Sequence, residues 1–262
     1  MDLGIADRWA VICAASEGLG FSCAAALVAE GVNVVINARR PEPLKAAARR
    51  LQNINPAVSI KWVPGDITES QTQDTVLSAS PMVDILVTNA AGPPTGNYSD
   101  WNRDIWYQAI NTNMLTPISL IQIVIDEMVN RRFGRVINIT SGTVKAPQSE
   151  LGLSNGARGG LTGFICGLAK TDSLASNNVT INNLLPGAFD TNRLKQTFAQ
   201  KASRCGDLPE RIAMQRRQKI PAGRFGTPEE FGAYCAFLCS VYAGYITGQN
   251  ILIDGGAYPG IF

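Results

Sequence analysis

Short apolar segments alternate with longer amphipathic segments along almost the whole of this chain. Apolar segments of this kind are typical of buried strands, whereas the longer segments have the periodicity of helices. Strands that are apolar on both faces need cover on both faces, and helices between consecutive strands provide it. The alternation therefore predicts an α/β fold built on a parallel sheet with right-handed crossovers.

Seven strands and six helices are predicted in alternating order. The strands are predicted at about 9–14, 32–37, 59–63, 83–87, 135–140, 178–187 and 249–256. The helices are predicted at about 18–30, 42–51, 70–78, 102–131 and 155–173, and a last one begins after Thr227. No repeat or linker interrupts this order, so residues 1–262 are interpreted as a single doubly wound, Rossmann-type domain with helices on both faces of the sheet.

The composition excludes several classes of function. The chain has no histidine, which removes the commonest metal ligand and any Ser-His or Cys-His nucleophile pair. Its six cysteines form no C-x-x-C pair, so no metal site is expected. A net charge of +2 gives no reason to expect a nucleic acid partner. The N-terminal segment does not resemble a signal peptide and no apolar run reaches membrane-spanning length, so we expect a cytoplasmic protein with no membrane partner.

A turn that contains glycines follows the first predicted strand. The segment CAASEGLG, residues 13–20, has Gly18 and Gly20 at the start of the first predicted helix. The free N–H groups and the dipole of a helix N-terminus favour a phosphate group at such a place. Because the turn lies between the first strand and the first helix, a nucleotide coenzyme is favoured over a purely structural role for these glycines.

The chain resembles the short-chain dehydrogenase/reductase family over nearly its whole length. The turn is similar to the family's T-G-x-x-x-G-x-G motif, with Cys13 and Ala14 in place of the Thr and the first Gly. Five more segments resemble family motifs in the family's order, namely GDIT at 65–68, TNAAG at 88–92, NTNML at 111–115, PGAFDT at 186–191 and ITGQNILIDGG at 246–256. The resemblance implies coenzyme contacts by Ala14, Ser16, Gly18, Leu19, Gly20, Asp66, Ile67, Asn89, Ala90, Arg158, Pro186, Gly187 and Thr191.

The end of the second predicted strand bears on the choice between NAD and NADP. An acidic residue there would bind the ribose hydroxyls of NAD and repel a 2′-phosphate. This chain has Asn37 followed by Arg39 and Arg40, and a guanidinium binds phosphate well, so NADP is predicted, with NAD as the other candidate. Glu17 argues against this choice, because NADP-preferring relatives often have a basic residue there. The alternative for both arginines is a solvated surface position.

The catalytic pattern of the family is only partly present. In that pattern a Ser polarises the substrate oxygen, a Tyr donates the proton, and a Lys four residues later lowers the pKa of the Tyr. Ser141 matches the Ser, and Asn113 matches the helical Asn of the family's active site. Ser154, however, stands at the Tyr position, and Arg158 stands at the Lys position. Because an aliphatic hydroxyl is a far weaker acid than a phenol, and a guanidinium keeps its proton, the family's proton donor is missing.

Three interpretations of this departure stay open. In the first, another group donates the proton, with Lys145 as the leading candidate and Tyr98 as the second. In the second, Ser154 passes on a proton from a water molecule held by Asn113. In the third, the protein binds NADP without redox turnover, or catalyses a nonredox reaction such as cleavage or dehydration of a hydroxyketone. The structural alternatives are a solvated loop position for Lys145 and a helix N-cap for Ser154.

We favour an oxidoreductase with an altered acid, which reduces a carbonyl or oxidises a secondary alcohol, because the coenzyme motifs are nearly complete. Residues 192–221 correspond to the family's helical substrate lid and hold eight basic residues against Asp207 and Glu210. Such a charge favours an anionic substrate, such as a carboxylate, a phosphate ester or a 3-oxoacyl thioester, although a solvated helix face is the alternative.

A homo-oligomer is the last expectation. The family commonly forms tetramers through its long helices and its C-terminal segment. The C-terminal sequence GGAYPGIF is apolar enough to be buried between subunits. We therefore expect a homotetramer or a dimer that acts on a small-molecule carbonyl or alcohol.

Overall fold

Seven parallel strands form one sheet in this structure, a computed structural model that describes residues 1–261. The strands are β1 Trp9–Ile12, β2 Asn33–Ala38, β3 Ile60–Pro64, β4 Ile85–Thr88, β5 Gly134–Ile139, β6 Val179–Pro186 and β7 Asn250–Ile253. Their order is β3-β2-β1-β4-β5-β6-β7, so the chain returns to the middle of the sheet between β3 and β4. This is the doubly wound arrangement, and the predicted Rossmann-type fold is confirmed.

Helices connect the strands and cover both faces of the sheet. They are α1 Gly18–Ala29, α2 Pro41–Ile54, α3 Ser70–Ser78, α4 Arg103–Ile110, α5 Thr116–Asn130, α6 Gly152–Leu168, α7 Asp172–Ala175, α8 Asn192–Cys205, α9 Pro209–Gln218 and α10 Pro228–Cys239. Sequence signals set several of the helix starts. Thr227 and Glu230 form the predicted capping box of α10, and Pro228 occupies its first turn, where a missing N–H costs nothing.

Alternate residues of the central strand reach two separate cores. Ala10 and Ile12 lie in the core that contains residues of α1, α2 and α10, whereas Val11 lies in the core that contains residues of α5 and α6. Strand side chains alternate between the two faces of a sheet, so an uninterrupted apolar strand requires both cores. This is why the apolar strands predicted a sheet covered on both sides.

The helix predicted at 102–131 is not continuous. A π-helical turn, Asn111–Leu115, separates α4 from α5. Pro117 follows in the first turn of α5, and it has no N–H to donate to the carbonyl of Asn113 four residues earlier. The regular α-helical bond is therefore missing at Asn113, and a wider turn takes its place.

The helix predicted at 155–173 also differs from the observed one. Helix α6 begins at Gly152 and ends at Leu168, and the short α7 follows it as a separate element. The N-cap of α6 is Leu151, so Ser154 lies inside the first turn of the helix. The alternative interpretation of Ser154 as an N-cap is therefore wrong, because the chain enters the helix three residues earlier than the sequence suggested.

Two features are absent from residues 1–261. None of the helices in this part of the chain has the length and apolar character needed to cross a membrane. Within the same range, no group of three or more Cys, Asp or Glu side chains lies close enough together to hold a metal ion.

Candidate active site

The loops that follow β1, β4, β5 and β6 meet at the C-terminal edge of the sheet, where doubly wound sheets bind their ligands. A cavity of about 960 Å³ opens there. Ser141 lines it from the loop after β5, and Gly187 lines it from the loop after β6. Phe198 of α8 and Ile212 of α9 line its outer wall. The segment predicted to form the lid therefore shares one cavity with the predicted catalytic serine.

The turn after β1 has the geometry of an anion site. Gly18 begins α1 in the left-handed region, with φ of +61°. A Cβ on Gly20 would lie 2.5 Å from the carbonyl oxygen of Ala14, so only glycine fits there. The N-cap residue of α1, Glu17, makes no side-chain hydrogen bond to the helix, which leaves the first N–H groups of α1 without a side-chain cap. Those N–H groups can bind a diphosphate.

Ala14 is strained in this turn. Its φ is +48°, a conformation that residues with a Cβ rarely adopt, and the family motif has glycine at this position. The side-chain amide of Asn89, at the end of β4, donates a hydrogen bond to the Ala14 carbonyl oxygen over 3.5 Å. The predicted contact residues Ala14, Gly20 and Asn89 are thus brought together at one place.

Thr191 reaches the same turn from the other side. A Cβ on Gly18 would lie 3.8 Å from Cγ2 of Thr191, which is the N-cap residue of α8. Next to it, the Asn192 amide donates a 3.0 Å hydrogen bond to the Glu17 carboxylate. The first turn of the lid therefore lies against the turn that is predicted to hold the diphosphate.

Ser141 has a hydroxyl that is oriented by its neighbour. Its Oγ accepts hydrogen bonds from the backbone N–H of Thr143 at 3.2 Å and from the Thr143 hydroxyl at 2.9 Å. Because both bonds use Ser141 as the acceptor, its own proton stays available to another oxygen in the cavity. Asn113 is buried in the π-helical turn, and its side-chain amide donates to the Ala109 carbonyl over 3.3 Å.

Ser154 and Arg158 lie one turn apart on α6. The Arg158 Nη1 group donates a 3.0 Å hydrogen bond to the Ser154 hydroxyl, which is buried. Burial, together with the charge of nearby Arg193, lowers the pKa of Arg158 to about 10. Arg158 therefore stays protonated at neutral pH and places a positive charge beside the Ser154 hydroxyl.

The chain matches a protein family model described as enoyl-(acyl carrier protein) reductase over residues 13–258. It is also 30% identical over 258 residues to the rabbit (Oryctolagus cuniculus) protein named dehydrogenase/reductase SDR family member 4, covering 97% of this chain and 94% of the relative. The chain belongs to the short-chain dehydrogenase/reductase family. The 3-oxoacyl-[acyl-carrier-protein] reductase FabG of Chlamydia trachomatis is similar to the same extent, with 30% identity covering 96% of this chain and 98% of the relative.

Solved structures of similar fold include an NADPH dependent reductase and a reductase in complex with NADPH. L-sorbose reductase from Gluconobacter frateurii, in complex with NADPH and L-sorbose, has a TM-score of 0.92 and 26% identity, with 100% of both chains covered. YwfH, an NADPH dependent reductase involved in bacilysin biosynthesis, has a TM-score of 0.91 and 26% identity, covering 98% of this chain and 100% of the other. The family assignment made from the sequence motifs is thereby confirmed.

In this short-chain dehydrogenase/reductase, the arginines predicted to bind the 2′-phosphate of NADP lie just after β2, and both are exposed. Arg40 forms an ion pair with Glu17 at 3.8 Å, while Arg39 is exposed beside it. Asn37 is buried, and its amide donates to the carbonyl oxygens of Val63 at 2.9 Å and of Gly65 at 3.2 Å. Asn37 therefore holds β2 to the end of β3, and the two arginines are the groups left for a phosphate.

Other predicted coenzyme contacts occupy the ends of β3 and β6. The Asp66 carboxylate accepts a 3.0 Å bond from the backbone N–H of Thr68 and a 2.9 Å bond from its hydroxyl. Ile67 is buried beside it. A Cβ on Gly187 would lie 2.6 Å from Cβ of Asp254, so glycine is required where the loop after β6 crosses β7. The coenzyme roles of Ser16, Leu19, Ala90 and Pro186 stay predictions with those of the residues above.

The two candidates for a replacement acid have different surroundings. Tyr98 is 88% exposed and does not line the cavity. Lys145 does not line the cavity either, but it is partly buried, and its Nζ lies 6.0 Å from the ring centroid of Tyr258. Tyr258 lines the cavity together with Ser141, and its backbone N–H donates a 2.7 Å bond to Asp254 just after β7.

Tyr258 was not singled out from the sequence. The family motif has its tyrosine at the position of residue 154, whereas Tyr258 lies in the C-terminal segment beyond the last strand. The available signal was its position a few residues past the C-terminal end of β7, because strand ends of a parallel sheet share one edge.

Three of the eight basic lid residues are already paired. Lys195 pairs with Asp190 at 3.1 Å, Lys201 with Glu150 at 3.7 Å and Arg211 with Asp207 at 3.4 Å. The cavity is lined by four basic side chains, Lys201, Arg204, Arg216 and Lys219, and by three acidic ones, Asp100, Glu150 and Asp254. The cavity wall therefore carries a small excess of positive charge.

Proposed function

We propose that this short-chain dehydrogenase/reductase reduces a small carbonyl compound with NADPH. The observation that carries the proposal is the orientation of Ser141, whose hydroxyl accepts two bonds from Thr143 and keeps its proton for a group in the cavity. A donor placed beside a carbonyl oxygen stabilises the negative charge that develops on that oxygen as the carbonyl carbon is reduced. Ser141 is thus the polarising residue.

The coenzyme choice is supported by the residues of the turn after β1 and of the end of β2. NADPH, when bound, supplies the hydride. The uncapped N–H groups at Gly18 and Gly20 bind its diphosphate, and Arg39 and Arg40 bind its 2′-phosphate. Two structural relatives are described as an NADPH dependent reductase and as a complex with NADPH, which supports the same choice over NAD.

The proton, we infer, comes from the part of the cavity wall formed by Tyr258, with Lys145 next to the tyrosine ring. A phenol is the strongest acid among the hydroxyl side chains, and a nearby cation favours its loss of the proton. Lys145 donates the proton directly, as predicted from the sequence, or assists Tyr258 in doing so. Ser154 is less suited to a relay, since its hydroxyl is held by Arg158.

Activity is tested with purified protein, NADPH and a panel of ketones, 2-oxo acids, sugars and 3-oxoacyl thioesters. Consumption of NADPH is followed by the near-ultraviolet absorbance of the reduced nicotinamide. We expect turnover with at least one anionic carbonyl compound. The alternative of NADPH binding without turnover, or of a nonredox reaction, predicts binding by calorimetry and no consumption with any compound; the reductase names of the relatives do not favour it.

The proton donor is tested by replacing Lys145 with Met and Tyr258 with Phe. Loss of a general acid lowers kcat by roughly a hundredfold or more, and we expect this for the variant that removes the donor, with NADPH affinity unchanged. Tyr245→Phe is the matched control, because Tyr245 is fully exposed and does not line the cavity. Full turnover in both Lys145→Met and Tyr258→Phe would remove this side of the cavity from the mechanism.

We also propose that the protein forms a homotetramer through α4 and α5. These helices and the π-helical turn between them expose three large apolar side chains, Tyr107, Leu115 and Ile123, each about half accessible in the single chain. Exposed apolar groups on one helical segment are typical of a protein interface. Multi-angle light scattering should give a mass of four chains, and a monomer at micromolar concentration would contradict the proposal.

A further inference from the structure

Two guanidinium groups converge on Gly92, in the loop that follows β4. A Cβ built on Gly92 would lie 3.8 Å from Nη1 of Arg158 and 3.8 Å from Nη2 of Arg193. Arg158 comes from α6 and Arg193 from the first turn of α8, so two separate elements bring these like charges together. Arg193 is exposed to solvent and Arg158 is partly buried, and both positive charges would attract an anion placed beside Gly92.

Among residues 1–261, no carboxylate forms an ion pair with either guanidinium. Within the same residues, the Arg158 guanidinium donates one hydrogen bond, to the neutral hydroxyl of Ser154. The Arg193 guanidinium makes no hydrogen bond or ion pair with any of residues 1–261. Its neighbour Lys195 on the same helix, by contrast, is paired with Asp190. The proximity of Arg193 contributes to the lowered pKa of Arg158, as expected for two cations without a counterion.

Gly92 leaves space for a single atom between the two side chains. The nearest atoms to its built Cβ are the guanidinium nitrogens at 3.8 to 4.0 Å, which is ordinary contact distance. One oxygen atom of a carboxylate or phosphate group placed there touches both arginines. Guanidinium groups bind such groups through two parallel N–H···O bonds.

We propose that Arg158, Arg193 and Gly92 form a binding site for an anionic oxygen group next to the reaction centre. Two sources can supply that group: the diphosphate of the coenzyme or a carboxylate of the substrate. The inference rests on the proposed reductase function for its biological meaning, but the presence of the site does not depend on turnover.

The test compares Arg193→Gln with Arg211→Gln as the matched control. Arg211 is an exposed lid arginine paired with Asp207, and it does not touch Gly92. Calorimetry measures the binding of NADPH, inorganic pyrophosphate and oxalate by each protein. Each charge-assisted hydrogen bond contributes roughly 1.5–3 kcal/mol, so we expect Arg193→Gln to weaken at least one of these ligands by about tenfold or more, and Arg211→Gln to weaken none.

The pattern of loss identifies the source. Weaker binding of NADPH and pyrophosphate, with oxalate unchanged, assigns the site to the coenzyme diphosphate. Weaker binding of oxalate alone assigns it to a substrate carboxylate. In the second case, kcat/KM for a 2-oxo acid should fall about tenfold in Arg193→Gln, while kcat/KM for its methyl ester stays the same, because the ester lacks the charge.

Gly92→Ala provides a test that keeps both charges. The added methyl group fills the space between the arginines without a close contact, so the fold tolerates it. It should weaken the same ligand as Arg193→Gln. Wild-type affinity for all three ligands in both Arg193→Gln and Gly92→Ala overturns the proposal. Failure of the reductase proposal looks different: no carbonyl compound consumes NADPH, yet the Arg193-dependent binding of pyrophosphate or oxalate persists.

Discussion

Each edge of the sheet has an arginine that is fully or partly shielded from solvent, and the two arginines differ in how they are paired. At the N-terminal edge, Arg135 at the start of β5 is fully buried and donates to the carbonyl oxygens of Ser240, Gly134 and Asn178 over 2.7 to 3.2 Å. At the C-terminal edge, Arg158 donates to one neutral hydroxyl. Burial lowers the pKa of each to about 10. The first guanidinium is satisfied by the fold itself, whereas the second is left for a ligand.

The buried Asp84 carboxylate at the N-terminal edge is also paired within the fold. It accepts a 3.0 Å bond from the Trp9 N–H and lies 3.6 Å from Arg8 and 3.7 Å from Arg131. Left-handed backbone does not separate the two edges, because Ala14 lies at the C-terminal edge while three other non-glycine residues with positive φ precede β1, β5 and β6. The edges differ in the pairing of their charged groups, and unpaired charge persists in a folded protein where function requires it.

The largest effect is expected for Arg135→Met. It leaves several buried carbonyl oxygens without donors, and each unsatisfied group costs roughly 1–3 kcal/mol. We expect the free energy of unfolding, measured with urea, to fall by about 3 kcal/mol or more, with NADPH affinity of the folded protein unchanged. A loss below about 1 kcal/mol would mean that Arg135 is not satisfied by the fold and would break the comparison.

Asp84→Asn should have the second largest effect on stability. The amide oxygen can still accept from Trp9, but Arg8 and Arg131 lose their carboxylate. We expect a loss of about 2 kcal/mol in the free energy of unfolding. Asp207→Asn is the matched control, since its pair with Arg211 is on the surface, and such pairs contribute about 0–1 kcal/mol. Equal losses in both variants would contradict the proposed role of burial.

Arg158→Met should affect function and not stability. The variant removes a buried charge and its repulsion with Arg193, so we expect the free energy of unfolding to change by less than about 1 kcal/mol. The value of kcat/KM should fall by about tenfold or more, as expected for loss of a charge-assisted contact to a ligand. If Arg158→Met loses as much stability as Arg135→Met and retains its activity, then Arg158 is a structural residue and the proposed difference between the two arginines is wrong.

Ala14→Gly tests whether the backbone of Ala14 is strained. Glycine adopts the observed φ of +48° without a steric cost, whereas a left-handed conformation is roughly 1–2 kcal/mol less favourable for alanine. Part of this gain is offset by the greater chain entropy of unfolded glycine. We expect the free energy of unfolding to rise by about 0.5 kcal/mol, and a fall in stability would show that Ala14 is not strained.

The exposed ion pair Arg224–Glu230 lies outside both edges and gives a reference for the stability that a surface pair contributes. Its 2.7 Å hydrogen bond lowers the pKa of Glu230 from 4.5 to about 2. A carboxyl group with a lowered pKa contributes stability above its unfolded value and loses it as the pH falls through the folded value. The melting temperature of the wild type should therefore fall between about pH 4.5 and pH 2 more than that of Glu230→Gln. Parallel curves for the two proteins would exclude this contribution.

Several features of the site could be predicted from local sequence alone. Gly18, Gly20 and Thr191 were expected to contact the coenzyme, the glycines at its diphosphate and Thr191 at its nicotinamide; these contacts stay predictions, and the structure brings Thr191 against Gly18. Ser141 was expected to face a cavity that the lid covers, and it does. The interruption of the long helix at Asn113 was missed, although Pro117 was a readable signal for it.

The alternation of apolar and amphipathic segments was sufficient to determine the parallel sheet and the helical cover on both of its faces, because few other arrangements bury apolar strands. It also determined the edge of the sheet at which the loops form the functional site. Only the tertiary structure decided which distant side chains meet at that edge. Tyr258 lies beside Lys145, and Arg193 lies beside Arg158, through the path of the C-terminal segment and of α8 across the cavity. Such neighbours depend on non-local packing, and no local propensity or motif spacing encodes them.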